Sequence, residues 1–357
     1  MNVTLPEQRF LILVLSNSGQ NRACARIETV KSKRIVANIS ESDLKVSIAL
    51  AQESPLDPTL VDIDIIRNEH AYSYGIDELP TISRGSMNVR CENINNIIFN
   101  PASVSPFTVP IEGLGTSDQY AIGDLSGKYG TLLRKPEERI STVDFNLPLF
   151  GAESIVGRAI VFYSTNGTIL SCTNLDLEDT QMTVAFATFD QPIQGQLILK
   201  QSRNQCNEDT LVYLEISRQA EVSSNLTHRH SWTIRESSVP TENSWSTQEC
   251  SLAGSVYNPF NRTDDPFQDC SAFHLEACRL GEMMRKFRPI DIAPLKLDEN
   301  GMPILRKYHF IDSYLPLCGP NSIVDRSILI SQEHMSHAPL ACTTIVALEN
   351  DVLNTDS

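Results

Sequence analysis

Short segments in which apolar and polar residues alternate recur along the chain. Residues 61–66 (VDIDII) and residues 212–217 (VYLEIS) both follow this period of two. Successive side chains of a β-strand point to opposite faces of a sheet, so each segment predicts a strand with one face towards solvent. Clusters of Gly, Pro, Asn and Ser separate such segments. The pattern therefore predicts an all-β protein built from short antiparallel strands.

One segment resembles an amphipathic helix, residues 274–287 (HLEACRLGEMMRKF). Gly281 interrupts it, and glycine weakens the interior of a helix. We therefore predict a strand with loops here rather than a helix.

The chain also repeats its own sequence. Residues 146–158 (NLPLFGAESIVGR) match residues 314–326 (YLPLCGPNSIVDR), and residues 59–67 (TLVDIDIIR) match residues 210–218 (TLVYLEISR). The matches fall in the same order and at similar separations. Two homologous domains are therefore predicted.

A third, partial copy lies at the N-terminus. Residues 9–24 parallel residues 158–172 and 326–342, because in each an arginine opens an apolar strand, a polar turn follows and a cysteine closes the segment. The chain is thus predicted to be part of a longer array, with a short linker that keeps the two complete domains close together. The predicted division is an incomplete preceding repeat (1–26), two complete repeats (27–176 and 180–346) and a tail or linker (347–357).

The acidic composition narrows the range of partners. The net charge of −15 argues against nucleic acid, because phosphate contacts need a basic surface. It argues equally against docking on anionic lipid, and no apolar run is long enough to span a bilayer.

Sequons and cysteines indicate the secretory pathway. Five Asn-x-Ser/Thr sequons accompany nine cysteines, although Glu7 and Arg9 make the N-terminal segment a poor signal peptide. We predict an extracellular, secreted glycoprotein. The predicted glycosylation sites are Asn2, Asn38, Asn166, Asn225 and Asn261.

Four segments resemble copper/zinc superoxide dismutases. They are residues 191–201 (QPIQGQLILKQ), 123–130 (GDLSGKYG), 155–163 (IVGRAIVFY) and 339–344 (PLACTT). The second segment is similar to its counterpart in the animal extracellular copper-only superoxide dismutase repeat proteins. The resemblance implies tandem eight-stranded Greek-key β-barrels of this type.

The family holds one copper with four histidines, two in a His-x-His strand, one before a Phe-Asn-Pro turn and one at the end of the Gly-Arg strand. Imidazole suits copper. None of the matching positions in this chain holds a histidine, so we expect no copper and no catalytic residue. The degenerate positions are Gly75, Asp77, Ile98 and Tyr163 in the first repeat, and Thr233, Arg235, Val256 and Ser331 in the second.

The remaining family positions are also altered. The zinc-binding aspartate matches Asp124 and Glu282, but the nearby histidine is replaced by Ala121 and Arg279. Asp124 is instead expected to accept backbone N–H groups in its loop. The arginine that guides superoxide is replaced by Ile169 and Pro339, and Val14 ends the matching strand of the N-terminal remnant.

A displaced His-x-His is the weak metal candidate of the chain. On a strand, His228 and His230 would point to one face and could bind one ion. The alternative is a solvated loop pair. His334 and His337 are expected on the surface.

Eight cysteines are assigned to pairs. The resemblance implies the disulfides Cys91–Cys172 and Cys250–Cys342, and places the partner of Cys24 in the preceding repeat. Four cysteines of the second repeat remain, for which three connectivities are possible. A local Cys270–Cys278 bond leaves Cys206–Cys318, and a cysteine-rich zinc site is the competing interpretation.

Loss of every copper ligand with retention of the disulfide positions predicts a structural or binding scaffold without dismutase activity. Its partner is an unknown extracellular molecule, besides adjoining repeats. The alternative is an inert part of a larger multi-repeat copper superoxide dismutase whose active repeats lie outside this chain. Copper or zinc carriage by His228 and His230 is a third possibility.

Overall fold

The chain is all-β, with only short helical turns between its strands. The computed structural model describes residues 10–15, 21–27, 30–81, 91, 94, 96–101, 109–178, 181–203, 206–218, 226–240, 247–263, 270–297, 303–333 and 338–348. The strands are β1 (Phe10–Leu15), β2 (Asn21–Ile27), β3 (Lys33–Ser40), β4 (Leu44–Gln52), β5 (Thr59–Asn68), β6 (Ala71–Ile76), β7 (Glu138–Asp144), β8 (Ala159–Ser164), β9 (Ile169–Asn174), β10 (Met182–Phe189), β11 (Ile193–Ser202), β12 (Thr210–Arg218), β13 (Thr227–His230), β14 (Trp232–Arg235), β15 (Ile290–Ile292), β16 (Lys296–Leu297), β17 (Pro303–Ile304), β18 (Arg306–Asp312), β19 (Ser327–Ser331), β20 (Pro339–Thr344) and β21 (Val346–Ala347). The helices are α1 (Leu125–Tyr129), α2 (Thr247–Cys250) and α3 (Met283–Lys286), with 3-10 turns at Ser117–Gln119, Ser251–Ala253 and Leu275–Ala277.

Within the described part of the chain, no helix is long and apolar enough to cross a membrane.

The first unit contains two antiparallel sheets, in the orders β3-β4-β5-β7 and β6-β8-β9. Strand β3 alternates strictly between buried and exposed residues, as its sequence pattern requires. The buried side of the larger sheet packs with residues of β6 and β8 into one apolar core. Seven strands of this unit lie in the described residues, and their hydrogen bonds form two sheets rather than the closed eight-stranded barrel that was expected.

The second unit repeats this plan with additions. Its larger sheet has the order β18-β12-β11-β10-β21, and its smaller sheet the order β14-β19-β20. Two further pairs, β13-β15 and β16-β17, lie outside these sheets. A second apolar core lies within this unit, with the indole of Trp232 fully buried in it.

Equivalent side chains make equivalent hydrogen bonds in the two units. The hydroxyl of Thr59 donates to the carbonyl of Leu147 at 2.6 Å, and the hydroxyl of Thr210 donates to the carbonyl of Leu315. Each of these bonds joins the start of a central strand to the Leu-Pro-Leu turn that follows the edge strand. The sequence repeat is therefore also a repeat of buried contacts.

A buried lysine–aspartate ion pair recurs in the same way. Lys128 Nζ lies 3.0 Å from Asp144 Oδ2, and Lys286 Nζ lies 2.6 Å from Asp312 Oδ2. All four side chains are at most 1% exposed. Each pair joins a single helical turn, α1 or α3, to the end of β7 or β18, and so fixes the loop that carries the helix against the larger sheet.

The prediction of a strand with loops over residues 274–287 is wrong. It forms the 3-10 turn Leu275–Ala277 and the helix α3. A Cβ on Gly281 would lie 2.2 Å from the carbonyl oxygen of Ile234, so the backbone here is pressed against β14. The chain then turns so that Lys286 can reach Asp312, which an extended strand would prevent.

Three hairpins of the chain share one irregularity. In β1-β2, β8-β9 and β19-β20, one residue of the first strand pairs with a cysteine of the second. The pairing shifts register directly after the next residue of the first strand. The cysteine pairs are Leu13 with Cys24, Val161 with Cys172, and Leu329 with Cys342.

This shared register corrects the strand-end position of the N-terminal copy. The residues just beyond the register shift are Tyr163 in β8 and Ser331 in β19, both of which match copper-ligand positions. In β1 the residue at that place is Leu15, not Val14 as predicted. The extra residue of the N-terminal segment between its arginine and the register shift accounts for the difference. That residues 1–26 end a preceding repeat stays a prediction.

Four disulfide bonds form within the part of the chain that the structure describes, and they are the four pairs proposed from the sequence. Their Cα–Cα separations lie between 4.7 and 5.8 Å. The side chain of Cys24 lies outside the described residues. The bonds are Cys91–Cys172, Cys206–Cys318, Cys250–Cys342 and Cys270–Cys278.

The two units are in direct contact, as the short linker predicts. Lys33 of the first unit forms an ion pair of 2.5 Å with Asp209 of the second. Leu211 and Ile311, which lie on neighbouring strands of the second unit, belong to the apolar core of the first. The core of the first unit is thus completed by side chains of the second.

We predict that Leu211→Ala destabilises the protein and that its counterpart Leu60→Ala does not. Leu211 is 8% exposed in the contact between the units, whereas Leu60, at the matching position of β5, is 53% exposed. Truncation of a buried leucine costs about 2–5 kcal/mol because a cavity is left behind. Urea unfolding of both variants measures this, and equal effects would contradict the role of Leu211 in the contact.

We predict that Asp312→Ala lowers the free energy of unfolding by about 3–5 kcal/mol, because it leaves the buried Lys286 ammonium without its partner. The exposed pair Asp62–Arg139 provides the control. Asp62→Ala should leave the urea midpoint nearly unchanged, since solvent screens an exposed pair. A small effect of Asp312→Ala would show that the buried pair does not hold the loop.

Candidate functional site

The structure brings together three of the four residues of the first unit that the sequence resemblance matches to copper ligands. The amide of Ile76 donates to the carbonyl of Gly123 at 2.8 Å, and the amide of Phe99 donates to the carbonyl of Ile76 at 2.8 Å. A β-bridge joins Asp77 to Ile98. Gly75, Asp77 and Ile98 therefore lie side by side, as the alignment of motifs implies.

Carbon atoms fill the space beside the first position. A Cβ on Gly75 would lie 2.6 Å from Ile98 Cδ1 and 2.9 Å from the carbonyl oxygen of Gly123. Glycine is needed here because the isoleucine side chain and the backbone approach so closely. An imidazole at this place would collide with both.

The second position holds a carboxylate that is already hydrogen-bonded. Asp77 is fully buried. Its Oδ1 accepts a bond of 2.9 Å from the amide of Leu79, and its Oδ2 accepts one of 3.0 Å from the amide of Ile97. Asp77 thus ties β6 to the loop before Phe99.

The fourth position holds a phenol in place of an imidazole. Burial raises the pKa of Tyr163 to about 12, and the charge of Asp77 adds to the shift. The phenol therefore stays protonated at neutral pH, and a neutral phenol is a poor metal ligand.

The second unit has the same backbone frame around different side chains. The amide of Ile234 donates to the carbonyl of Gly281 at 2.9 Å, and the amide of Tyr257 donates to the carbonyl of Ile234 at 2.9 Å. A β-bridge joins Arg235 to Val256. The same backbone bonds therefore surround the corresponding predicted positions in both units.

Neither set of residues fits a copper ion. The first offers no side chain, one bonded carboxylate, an alkyl group and a protonated phenol. The second offers two hydroxyls, an alkyl group and an arginine, which holds its proton. Copper favours imidazole and sulfur ligands, and neither set offers one.

The zinc-related carboxylates act within their loops. Asp124 Oδ1 accepts a bond of 2.8 Å from the amide of Gly127 and so caps α1, as expected. Glu282 Oε2 accepts one of 3.2 Å from the amide of Arg279. Among the described residues, no three His, Cys, Asp or Glu side chains are grouped as a metal site would require.

His228 and His230 do not share one face, so the expectation of a joint metal site is wrong. Between them Arg229 has a φ of 58°, and the pairing of β13 with β15 is irregular there. His228 is exposed and lies 3.4 Å from Asp291, whereas His230 is fully buried.

His230 is also not part of a solvated loop. Its Nδ1 lies 2.9 Å from the carbonyl oxygen of Ser331, and its Nε2 lies 2.8 Å from the hydroxyl of Thr227. Burial lowers the pKa of this imidazole, which the Ser331 carbonyl opposes. His230 is therefore a structural residue that joins β13 to the end of β19.

A buried histidine escaped the sequence analysis. His309 on β18 is 6% exposed and lies where the two units meet. The signal that could have found it is the sequence of β12, in which Tyr213 replaces Asp62 of the first repeat on the outer face of the sheet. His334 and His337 lie outside the described residues.

Aromatic residues of the second unit cover the surface beside the first copper-related site. A cleft of about 490 Å³ separates Ile97, Ile98 and Phe99 from the second unit. Arg288 bridges it, lying 3.5 Å from Glu78. The aromatic side of the cleft consists of Phe273, Phe287 and Phe310.

Three of the five sequon asparagines lie in the described residues, and all three are exposed: Asn38, Asn166 and Asn261. Asn166 is in the β8-β9 turn, where its Oδ1 accepts a bond of 3.0 Å from the amide of Thr168. Asn2 and Asn225 lie outside the described residues.

Comparison with known proteins finds similarity only among solved structures. No family model matches the chain, and no curated protein matches it. The copper(II) form of superoxide dismutase 5 from Candida albicans is 18% identical, with a TM-score of 0.34 over 50% of this chain and 99% of that one. A mutant of the same enzyme gives the same identity and TM-score over 49% of this chain and 98% of that one. Similarity at this level says nothing about the chemistry of this chain.

We predict that Asp77→Ala lowers the free energy of unfolding by about 1–3 kcal/mol, because the amides of Leu79 and Ile97 lose their acceptor. Asp176→Ala, which removes an exposed carboxylate of the same unit, is the matched control. Urea unfolding compares the two. A variant as stable as the native chain would contradict a structural role for Asp77.

Proposed function

We propose that this chain belongs to a secreted superoxide dismutase-like repeat protein, and that its two complete units act as a structural or binding scaffold without dismutase activity. The proposal includes no cofactor for these units. Its partner is an extracellular molecule. Because the chain is strongly acidic, we exclude nucleic acid and anionic lipid surfaces as that partner.

One observation carries the proposal, namely the way in which the copper-related positions are filled. Ile98 occupies the space beside Gly75, and Asp77 is bonded to two backbone amides. These groups now hold strands together. The second unit differs in every side chain yet keeps the same backbone frame, so neither unit needs a metal to hold this frame together.

The disulfides support an extracellular location. Four of them form among the described residues, and such bonds persist in oxidising compartments. The exposed sequon asparagines are compatible with glycosylation. Both features suit a protein that must stay folded outside the cell.

A second candidate function is an inert part of a larger copper enzyme. The hairpin β1-β2 favours it, because this hairpin shares its cysteine register with β8-β9 and β19-β20. A further unit would then precede the first. The activity of such a unit depends on its own histidines.

We predict that the secreted, folded chain retains no stoichiometric copper after incubation with copper(II) and dialysis. Its rate of superoxide dismutation should equal that of buffer, because the two sets of ligand positions offer no imidazole. Elemental analysis and a dismutation assay on the same sample measure both quantities. An active copper superoxide dismutase taken through the same steps is the control.

Bound copper with activity would overturn the proposal. Copper that binds without activity, and no longer binds to the His228→Ala variant, would replace the scaffold proposal with metal carriage at this exposed histidine. The same two measurements on the longer natural protein separate the scaffold from the inert part of an enzyme.

A further inference from the structure

A cavity of about 540 Å³ lies between the two units, a size typical of small-molecule sites, which span about 300–1,000 Å³. The second unit supplies most of its wall from the outer face of the larger sheet. The residues of this wall that matter below are Val184, Phe186, Ile198, Lys200, Leu211 and His309.

At the position that matches His309, the same face of the first unit is polar. Tyr213 pairs with His309 across β12 and β18, and the matching pair across β5 and β7 is Asp62 with Ser141. Asp62 forms an exposed ion pair with a neighbour on its own sheet. The Tyr213–His309 pair is therefore particular to the second unit, and a cavity remains between this face and the first unit.

His309 is the unusual member of the wall. The side chain is buried, and among the described residues neither ring nitrogen has a partner at hydrogen-bond distance and angle. The backbone of Val212 acts on the imidazole only outside that geometry. A buried polar group left without a partner destabilises the folded state, so such a group marks a place where a ligand can bind.

The surroundings of His309 favour a negative charge. Burial lowers its pKa well below 6.5, and the charge of Arg158 lowers it further; the backbone of Val212 opposes the shift, and the charge of Lys200 adds the smallest lowering. His309 is thus neutral and offers one donor and one acceptor. Lys200 lines the cavity and is half-buried, whereas the one acidic residue of the described lining, Asp176, is exposed at its edge.

We propose that this cavity binds a small amphipathic carboxylate of the fatty-acid class. Its hydrocarbon chain lies against Val184, Phe186 and Ile198, and its carboxylate interacts with Lys200 and His309. The ligand then gives the imidazole a partner and fills the apolar space between the units.

Isothermal titration calorimetry with sodium dodecanoate tests the proposal on the whole chain. We expect saturable binding of one dodecanoate per chain. Lys200→Met and His309→Phe should each weaken it about tenfold or more, since each removes a hydrogen bond to a charged group. Lys45→Met, which removes an exposed lysine of the first unit, should leave the affinity unchanged.

The neutral probe 1-dodecanol separates the carboxylate from the hydrocarbon chain, and it should bind at least tenfold more weakly than dodecanoate. No binding of dodecanoate to the native chain would overturn the proposal, as would equal binding by native, Lys200→Met and Lys45→Met proteins. Equal affinity for dodecanol would overturn the assignment of a carboxylate. Circular dichroism establishes whether each variant is folded. If His309→Phe does not fold, the result for Lys200→Met decides the test.

Discussion

The buried ion pairs Lys128–Asp144 and Lys286–Asp312 constrain the rest of each unit. A charge removed from water must be paired, so the loop that carries each lysine has one permitted position against the larger sheet. That loop also carries Gly123 in the first unit. The carbonyl of Gly123 accepts a hydrogen bond from the amide of Ile76, at the end of the strand that carries Gly75. The frame around those residues is thus held by the protein's own charges, independently of any metal.

This constraint explains why the frame survives when its contents differ. The backbone bonds of Ile76 and Ile234 are the same in the two units, but the neighbouring positions hold Asp77 in one and Arg235 in the other. An aspartate that caps two amides and an arginine that bonds to a loop carbonyl are unrelated solutions at one place. These positions therefore differ in both side chain and bonding partner, whereas the buried ion pairs are shared by both units.

The sequence predicted the strands and the repeat because both depend on local patterns. Its prediction of the ligand positions rests on short motifs such as those ending at Pro101 and Arg158, and the structure brings Gly75, Asp77 and Ile98 together. It failed at residues 274–287, where the reach of Lys286 to Asp312 decides the conformation. It also failed at His230, because a positive φ at Arg229 breaks the alternation of faces, and at His309, because a period of two does not tell whether an outer face is covered.

The junction between the units has a mechanical consequence. Leu177 bridges to Ile35, and the amide of Glu178 donates to Arg34 at 2.8 Å, so the chain leaving the first unit is bonded back onto that unit's edge strand. Leu211 and Ile311 of the second unit are inserted into the core of the first beside this strand, so buried side chains as well as backbone bonds hold the described parts of the two units together. Tension applied along the chain would therefore be carried by cross-strand bonds and buried side chains. The two units would resist separation together instead of moving independently.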